Sequence, residues 1–256
     1  MKFGFIGTGN MGSALAIGVS KTEKDILLFD VLKEKADALA QKIGAKSVGA
    51  QEVFDADFIF LGVKPHQIEE LAKTLKISEK CVLVSMAAGV KIEKIEAVCK
   101  NPIIRIMPNT PVSVGEGMIL YSVNSLVKKE QEEAFLRAMS ACGKVQKMQE
   151  ELIDAGCALS GCGPAYMFMY ALGLARGAQK CGIEEEASLK LAAQTMLGAA
   201  KLMLSSDKTA EELIKAVCSP GGSTIEGVGV FEKEGLYQMC EHAVNAAYEK
   251  NKILGK

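Results

Sequence analysis

The sequence predicts a doubly wound α/β domain on a mostly parallel sheet, followed by an all-α domain. Three observations predict it. Apolar runs alternate with helical patterns from Met1 to Glu150. A glycine-rich turn, Gly7-Thr8-Gly9-Asn10-Met11-Gly12, stands directly after the first run and opens a helix. Beyond Glu150 only helical periodicity remains. Continuous apolar runs alternating with helices imply a parallel sheet covered on both faces. The division falls at 151/152, giving an α/β domain over 1–151 and a helical domain over 152–256. No Gly-rich polar linker separates them.

In order, Lys2–Ile6 reads as a strand and Asn10–Ser20 as a helix. Asp25–Asp30 is the second strand, and Lys33–Ile43 is an amphipathic helix closed by Gly44. Phe58–Val63 is a continuous apolar run ending at Lys64-Pro65. Cys81–Met86 ends at Ala87-Ala88-Gly89, and Pro102–Met107 ends at Pro108. Gly117–Val123 and Lys144–Gln149 read as edge strands around a helix from Lys128 to Ala141. In the second domain, Ala165–Cys181 and Ala187–Leu204 are helices. The first is apolar on nearly all sides, which means deep burial or a subunit interface. Thr209–Val217 opens with a capping box from Thr209 to Glu212. Ile225–Glu234 and Leu236–Lys252 complete the chain.

Composition excludes several classes. Of 256 residues, 49% are hydrophobic and 24% charged, an ordinary globular balance. A net charge of -1 with interspersed signs argues against a nucleic-acid surface. No apolar run reaches the roughly 18 residues that a bilayer span needs. The start reads as a strand entering a turn rather than a signal peptide, so a cytoplasmic location is expected. The eight cysteines form no Cys-x-x-Cys pair, and neither His66 nor His242 has a cysteine at ligand spacing. No metal is expected. Buried, reduced thiols are.

The glycine-rich turn is a dinucleotide fingerprint in its proper context. Gly7 makes the tight turn, Gly9 lets the backbone approach a pyrophosphate, and Gly12 lets the helix pack on the strand. The pyrophosphate rests on the helix N-terminus. The domain is therefore of Rossmann type. Asp30 ends the second strand and is placed to accept from a ribose 2′-hydroxyl, which favours NADH over NADPH. Lys33 and Lys35 stand near enough to offset a 2′-phosphate in part, so NADPH stays open. Ligands bind beyond the carboxyl ends of such strands. The expected cofactor residues are Ile6, Gly7, Thr8, Gly9, Asn10, Met11, Asp30, Val63, Lys64, Pro65, Ala87 and Ala88. Lys64 is weighed as a catalytic acid and reads better as a solvated lysine at a turn. His66 reads as structural.

Ser219-Pro220-Gly221-Gly222-Ser223-Thr224 precedes the helix at Ile225. Adjacent glycines flanked by hydroxyls let several backbone N–H groups converge on a small anion before a helix. A cofactor site and an anion pocket on one chain suggest redox chemistry on a small acid.

Five motifs then occur in order: Phe5–Gly12, Val63-Lys64-Pro65-His66, Met107-Pro108-Asn109-Thr110-Pro111, Ser160-Gly161-Cys162-Gly163-Pro164-Ala165-Tyr166, and Ser219–Thr224. The set resembles the pyrroline-5-carboxylate reductases over essentially the whole chain, and the last motif is its most specific part. Cys162 stands where many members carry serine or another small residue. The resemblance implies NAD(P)H-dependent reduction of the C=N bond of 1-pyrroline-5-carboxylate to L-proline. It implies that Ser219, Gly221, Gly222, Ser223 and Thr224 bind the substrate. The Thr224 hydroxyl would serve the ring nitrogen as the catalytic donor. It also implies a homodimer through the helical domain, with dimers often assembled further, commonly into a decamer of five.

Two other readings compete. A β-hydroxyacid dehydrogenase would share the opening fingerprint but needs a lysine soon after the Ser160–Pro164 turn, and none appears before Lys180. A non-catalytic dinucleotide sensor has no use for the loop ending at Thr224.

Overall fold

The computed structural model describes residues 1–254. Eight strands form one sheet: β1 (Lys2–Ile6), β2 (Asp25–Phe29), β3 (Lys46–Ser47), β4 (Phe58–Leu61), β5 (Val82–Ser85), β6 (Ile103–Met107), β7 (Gly117–Val123) and β8 (Gly143–Lys147). Their spatial order is β3-β2-β1-β4-β5-β6-β7-β8. All neighbours are parallel except β6 and β7. The order reverses between β1 and β4, the switch point where such sheets open a crevice. One expectation is corrected: β7 lies inside the sheet between β6 and β8, so of these two strands β8 alone is at an edge, with β3 at the opposite edge.

The helices of this part are α1 (Asn10–Thr22), α2 (Lys33–Ile43), α3 (Ala50–Val53), α4 (Ile68–Thr74), α5 (Ile92–Glu96), α6 (Lys129–Met139) and α7 (Glu150–Gly156). Gly44 closes α2 in the left-handed conformation, at φ 69°. Alternation along the strands sorts the core. Phe3, Phe5, Phe58, Phe60, Val82, Val84, Ile104 and Ile106 face one side with α1 and α6. Phe5 and Phe60 stack with centroids 4.5 Å apart, and Phe3 and Phe58 at 5.1 Å. Ile59, Leu61, Leu83 and Ile103 face the other side with Ile68, Ile92 and Ile95. Each such side chain contributes roughly 1.5–3 kcal/mol on burial. That is why continuous apolar runs, rather than alternating ones, mark these strands.

Contacts divide the chain into two compact units. One holds Met1–Pro164 and the chain from Ala247 onward; the other holds Ala165–Ala246. This packing division lies beyond the 151/152 change of sequence character. The cause is α7 and the π turn after it, Cys157–Gly161. Ile153 is fully buried against Met107 and Leu120. Arg105, on β6, is fully buried and holds Glu150 at 3.2 Å and Asp154 at 2.7 Å. Helical sequence thus begins while the chain is still packed on the sheet.

The remaining helices are α8 (Gly163–Lys180), α9 (Glu185–Ser205), α10 (Ala210–Val217), α11 (Ser223–Lys233) and α12 (Leu236–Leu254). The expected capping box of α10 is formed: Thr209 Oγ1 accepts from the Glu212 N–H at 3.2 Å, and Glu212 Oε2 accepts from the Thr209 N–H at 2.8 Å. Within the second unit, Tyr170 and Phe231 lie 5.8 Å apart, and Tyr166 donates to the Ala243 carbonyl. Of the two readings of the apolar helix over Ala165–Cys181, deep burial within the chain is excluded. Only Ala175 of α8 is buried, while Phe168 and Met169 are 69% and 74% exposed. The continuous helix Glu150–Lys180 is long and apolar enough to cross a membrane by length and composition, although no single apolar run in it is.

The eight thiols are free. Only Cys81 and Cys142 are buried, while Cys181 and Cys240 are exposed, so uniform burial was not the outcome. Burial pushes the Cys81 thiol up to about 12 and the Cys142 thiol to about 11. Among the described residues no group of three or more His, Cys, Asp or Glu side chains is placed to hold a metal.

Candidate active site

The chain turns sharply after β1. The Gly7 N–H donates to the Phe29 carbonyl at 2.8 Å, and Gly7 has φ 93°, a conformation that favours glycine. A Cβ on Gly7 would stand 2.6 Å from the Gly62 carbonyl oxygen, and one on Gly12 would collide with the Gly7 carbonyl. These two glycines let the turn, α1 and the end of β4 close on one another. Gly9 differs. A Cβ there would meet nothing within 4 Å, and Gly9 caps α1 with no side-chain hydrogen bond. The first turn of α1 therefore presents N–H groups to open space, with the helix dipole behind them. A pyrophosphate fits that cradle.

Asp30 sits beside the turn. Its Oδ2 accepts from the Thr8 N–H at 2.7 Å and from the Thr8 hydroxyl at 2.9 Å. Its Oδ1 accepts from the Leu32 N–H at 3.0 Å. Burial pushes the carboxyl up, yet the N–H groups of Leu32 and Thr8, the Thr8 hydroxyl and the charge of Lys35 outweigh it. Together they hold Asp30 below its ordinary value. Asp30 is thus an ionised acceptor at the mouth of the cradle.

A cavity of about 500 Å³ lies over this turn. Of the expected residues, Ile6, Gly7, Gly9, Asn10, Met11, Asp30, Val63 and Lys64 line it. Thr8 is buried beneath the turn and reaches the site through Asp30. Pro65 starts the short 3-10 turn Pro65–Gln67, at the exposed end of β4. Ala87 packs into the core behind β5, and Ala88 packs beside Met107 and Leu120. Phe29, Val31, Gly62, Gln67 and Met86 also line the cavity and were not among the expected cofactor residues. Gly62 carried a usable signal, a glycine ending an apolar run. Gln67 carried none, since it enters through its 3-10 turn, where its Oε1 accepts from the Lys64 N–H at 3.1 Å. Lys64 and His66 are exposed.

Beyond β6, Asn109 ties the strand end to the π turn. Its Nδ2 donates to the Ser160 carbonyl at 2.9 Å, and its Oδ1 accepts from the Met118 N–H at 2.9 Å. This joins the Met107–Pro111 and Ser160–Tyr166 motifs physically.

The second unit carries the other candidate. Ser219-Pro220-Gly221-Gly222 is a hydrogen-bonded turn, with the Gly222 N–H donating to the Ser219 carbonyl at 3.0 Å. Gly221 has φ 72°, so Pro220 and Gly221 occupy the central places of a type II turn. Gly222 then caps α11 in an extended conformation with no side-chain hydrogen bond. Its neighbours Ser223 and Thr224 form the first helical turn and are exposed. Unpaired N–H groups and two hydroxyls thus share one helix start, a setting that favours a carboxylate.

Comparisons with known proteins bear on both halves. Residues 150–254 match a family model described as pyrroline-5-carboxylate reductase dimerisation. Residues 2–89 match one described as NADP oxidoreductase, coenzyme F420-dependent. The chain is 34% identical over 260 residues to pyrroline-5-carboxylate reductase of Aquifex aeolicus, covering 99% of this chain and 97% of that one. A solved pyrroline-5-carboxylate reductase from Coxiella burnetii superposes with TM-score 0.90 at 34% identity, covering 100% and 98% of the two chains. The Plasmodium falciparum pyrroline carboxylate reductase, solved with NADP bound, superposes with TM-score 0.88 at 31% identity, covering 100% and 98%. Full-length likeness at this level, over both the nucleotide cradle and the helical unit, shows that the chain belongs to the pyrroline-5-carboxylate reductase family.

Proposed function

We propose that the chain reduces the C=N bond of 1-pyrroline-5-carboxylate to give L-proline, the last step of proline biosynthesis. One observation carries the reading beyond family membership. Two helices on this chain, α1 and α11, start on glycine caps with no side-chain cap, each after a left-handed glycine turn. One start suits a pyrophosphate and the other a small carboxylate.

When bound, the nicotinamide nucleotide supplies the hydride, so that one imine, one NAD(P)H and one proton give L-proline and NAD(P)+. The first turn of α1 holds the pyrophosphate. Asp30 accepts from the adenosine ribose and favours NADH, with Lys35 softening the repulsion of a 2′-phosphate. The N–H groups around Gly221, Ser223 and Thr224 hold the substrate carboxylate, while Ser219 and Gly222 shape the turn, the Gly222 N–H being taken by the Ser219 carbonyl. The Thr224 hydroxyl donates to the ring nitrogen as the imine becomes an amine. A donor at an atom whose charge changes in the reaction is worth about 2.7–4 kcal/mol. Orientation of an already electrophilic imine supplies much of the rest.

The helical unit makes a homodimer, and five dimers form a decamer. The dimerisation-family match and the exposed apolar side chains of α8 and α9 support burial against a second copy. They favour that over insertion of the Glu150–Lys180 helix in a bilayer. The protein works in the cytoplasm. The test is to supply the purified protein with 1-pyrroline-5-carboxylate and each nucleotide in turn. L-Proline should accumulate in step with nucleotide oxidation, faster with NADH. No turnover with either nucleotide would overturn the reading. A monomer by sedimentation would overturn the assembly.

A further inference from the structure

We propose that Thr8 is a positioning residue that sets nucleotide preference by fixing the aim of Asp30. The inference rests on the reading that Asp30 meets the adenosine ribose. The middle residue of such a turn is ordinarily thought of for its backbone alone. Here the side chain has a task of its own. Thr8 is 5% exposed and does not line the cavity. It donates to Asp30 Oδ2 at 2.9 Å, beside the Thr8 N–H on the same oxygen at 2.7 Å. The Thr8 carbonyl in turn accepts from the Ser13 hydroxyl at 2.7 Å, which fixes the residue to α1.

These bonds divide the carboxylate into two ends. Oδ2 already receives two donors and is spent on the turn. Among the described residues Oδ1 receives only the Leu32 N–H, at 3.0 Å. A carboxylate oxygen accepts at two sites, so Oδ1 retains one for a ribose hydroxyl. Asp30 lines the cavity and Thr8 does not. The Thr8 hydroxyl therefore pins the carboxylate with its free site outward. It also concentrates negative charge where a 2′-phosphate would stand. Without the hydroxyl, Asp30 keeps its two backbone donors but gains freedom to turn about its own side-chain bonds. A 2′-phosphate then finds the charge able to swing aside, and a ribose hydroxyl finds its acceptor less well placed. Both changes lower the NADH to NADPH ratio.

The experiment measures kcat/KM with NADH and with NADPH for the intact protein and for Thr8→Val, Thr8→Ser, Asp30→Asn and the double variant Thr8→Val/Asp30→Asn. Thr8→Val should lower the NADH/NADPH ratio about fivefold, the value expected for losing part of one charge-assisted hydrogen bond. Thr8→Ser, which keeps the hydroxyl, should retain the ratio. In the Asp30→Asn background Thr8→Val should change it no further. If Asp30→Asn leaves the ratio where it was, the ribose reading of Asp30 fails, and this inference with it. If Asp30→Asn moves the ratio but Thr8→Val does not, or slows both nucleotides equally, Thr8 is merely structural and only this inference fails. Should Thr8→Val not fold, Thr8→Ala with direct titration of each nucleotide answers the same question. An unaltered ratio of dissociation constants would again overturn the proposal.

Discussion

Replacing Gly221 by alanine isolates the backbone geometry of the substrate loop. Gly221 has φ 72°, and a Cβ there would meet nothing within 4 Å. The substitution introduces no clash. Its whole cost is the left-handed conformation, roughly 1–2 kcal/mol for an L-residue. Two outcomes compete for that cost. A turn held rigidly would show it as lower stability. A turn free to relax would show it as lost binding. Among the described residues no residue of α11 is buried, so the turn is held by its own Gly222–Ser219 hydrogen bond and the Pro220 ring rather than by core packing. The turn should relax, and the N–H groups after it should lose their convergence. At 1.4 kcal/mol per tenfold, KM for 1-pyrroline-5-carboxylate should rise roughly 5- to 30-fold. The dissociation constant for NADH should not move, since its cradle is formed by β1 and α1. Gly221→Asn should cost less, because asparagine tolerates the left-handed region. The assay is steady-state kinetics on all three proteins, with nucleotide titration alongside. An unchanged KM for Gly221→Ala, or one equal to that of Gly221→Asn, would show that the turn does not aim these N–H groups.

Three further outcomes are expected. Thr224→Ala should lower kcat about 100-fold, as loss of a donor to a reacting atom does, with Thr224→Ser restoring much of it; unchanged turnover would remove Thr224 from the chemistry. Arg105→Met should leave the Glu150 and Asp154 carboxylates without their shared cation. Their side chains are 20% exposed, so the penalty should fall at the low end of the buried-pair range, about 3 kcal/mol, or about 6–12 °C in Tm. An unshifted Tm by calorimetry would contradict the clamp. Asp30 is held below its ordinary value in the folded protein, so its stabilisation is present above the unfolded carboxylate range and is lost as pH falls through the folded value. The Tm penalty of Asp30→Asn should therefore be seen at neutral pH and vanish in acid, and a penalty independent of pH would deny the shift.

How far the sequence carried the fold depended on the distance over which each signal acts. The strands Lys2–Ile6 and Gly117–Val123 and the helix Lys33–Ile43 match the sequence bounds, because apolar runs and a closing glycine are local. The short elements Lys46–Ser47, Ala50–Val53 and Ile92–Glu96 were not read, being too short to show a period. The π turn at Cys157–Gly161 is invisible to a 3.6-residue pattern and is fixed from outside by Asn109. The glycine turns of both candidate sites were legible, since the left-handed backbone at Gly7 and Gly221 favours glycine. The partners of those turns were not. Thr8 joins Asp30 across 22 positions, and Arg105 joins Asp154 across 49. Such pairs exist only once the sheet is built. The apolar surface of α8 looked alike for a core helix and an interface. Its exposure in the folded chain excludes the core helix.

Direct hydride transfer to the imine carbon of a carboxylate-held substrate leaves an isotopic trace in the product. The most direct measurement uses NADH carrying deuterium at the transferable position, with mass and magnetic resonance analysis of the proline formed in ordinary water. One deuterium per molecule is expected, all on the ring δ-carbon beside nitrogen, and none on the α-carbon. Deuterium lost to solvent, or found on the α-carbon, would contradict direct transfer.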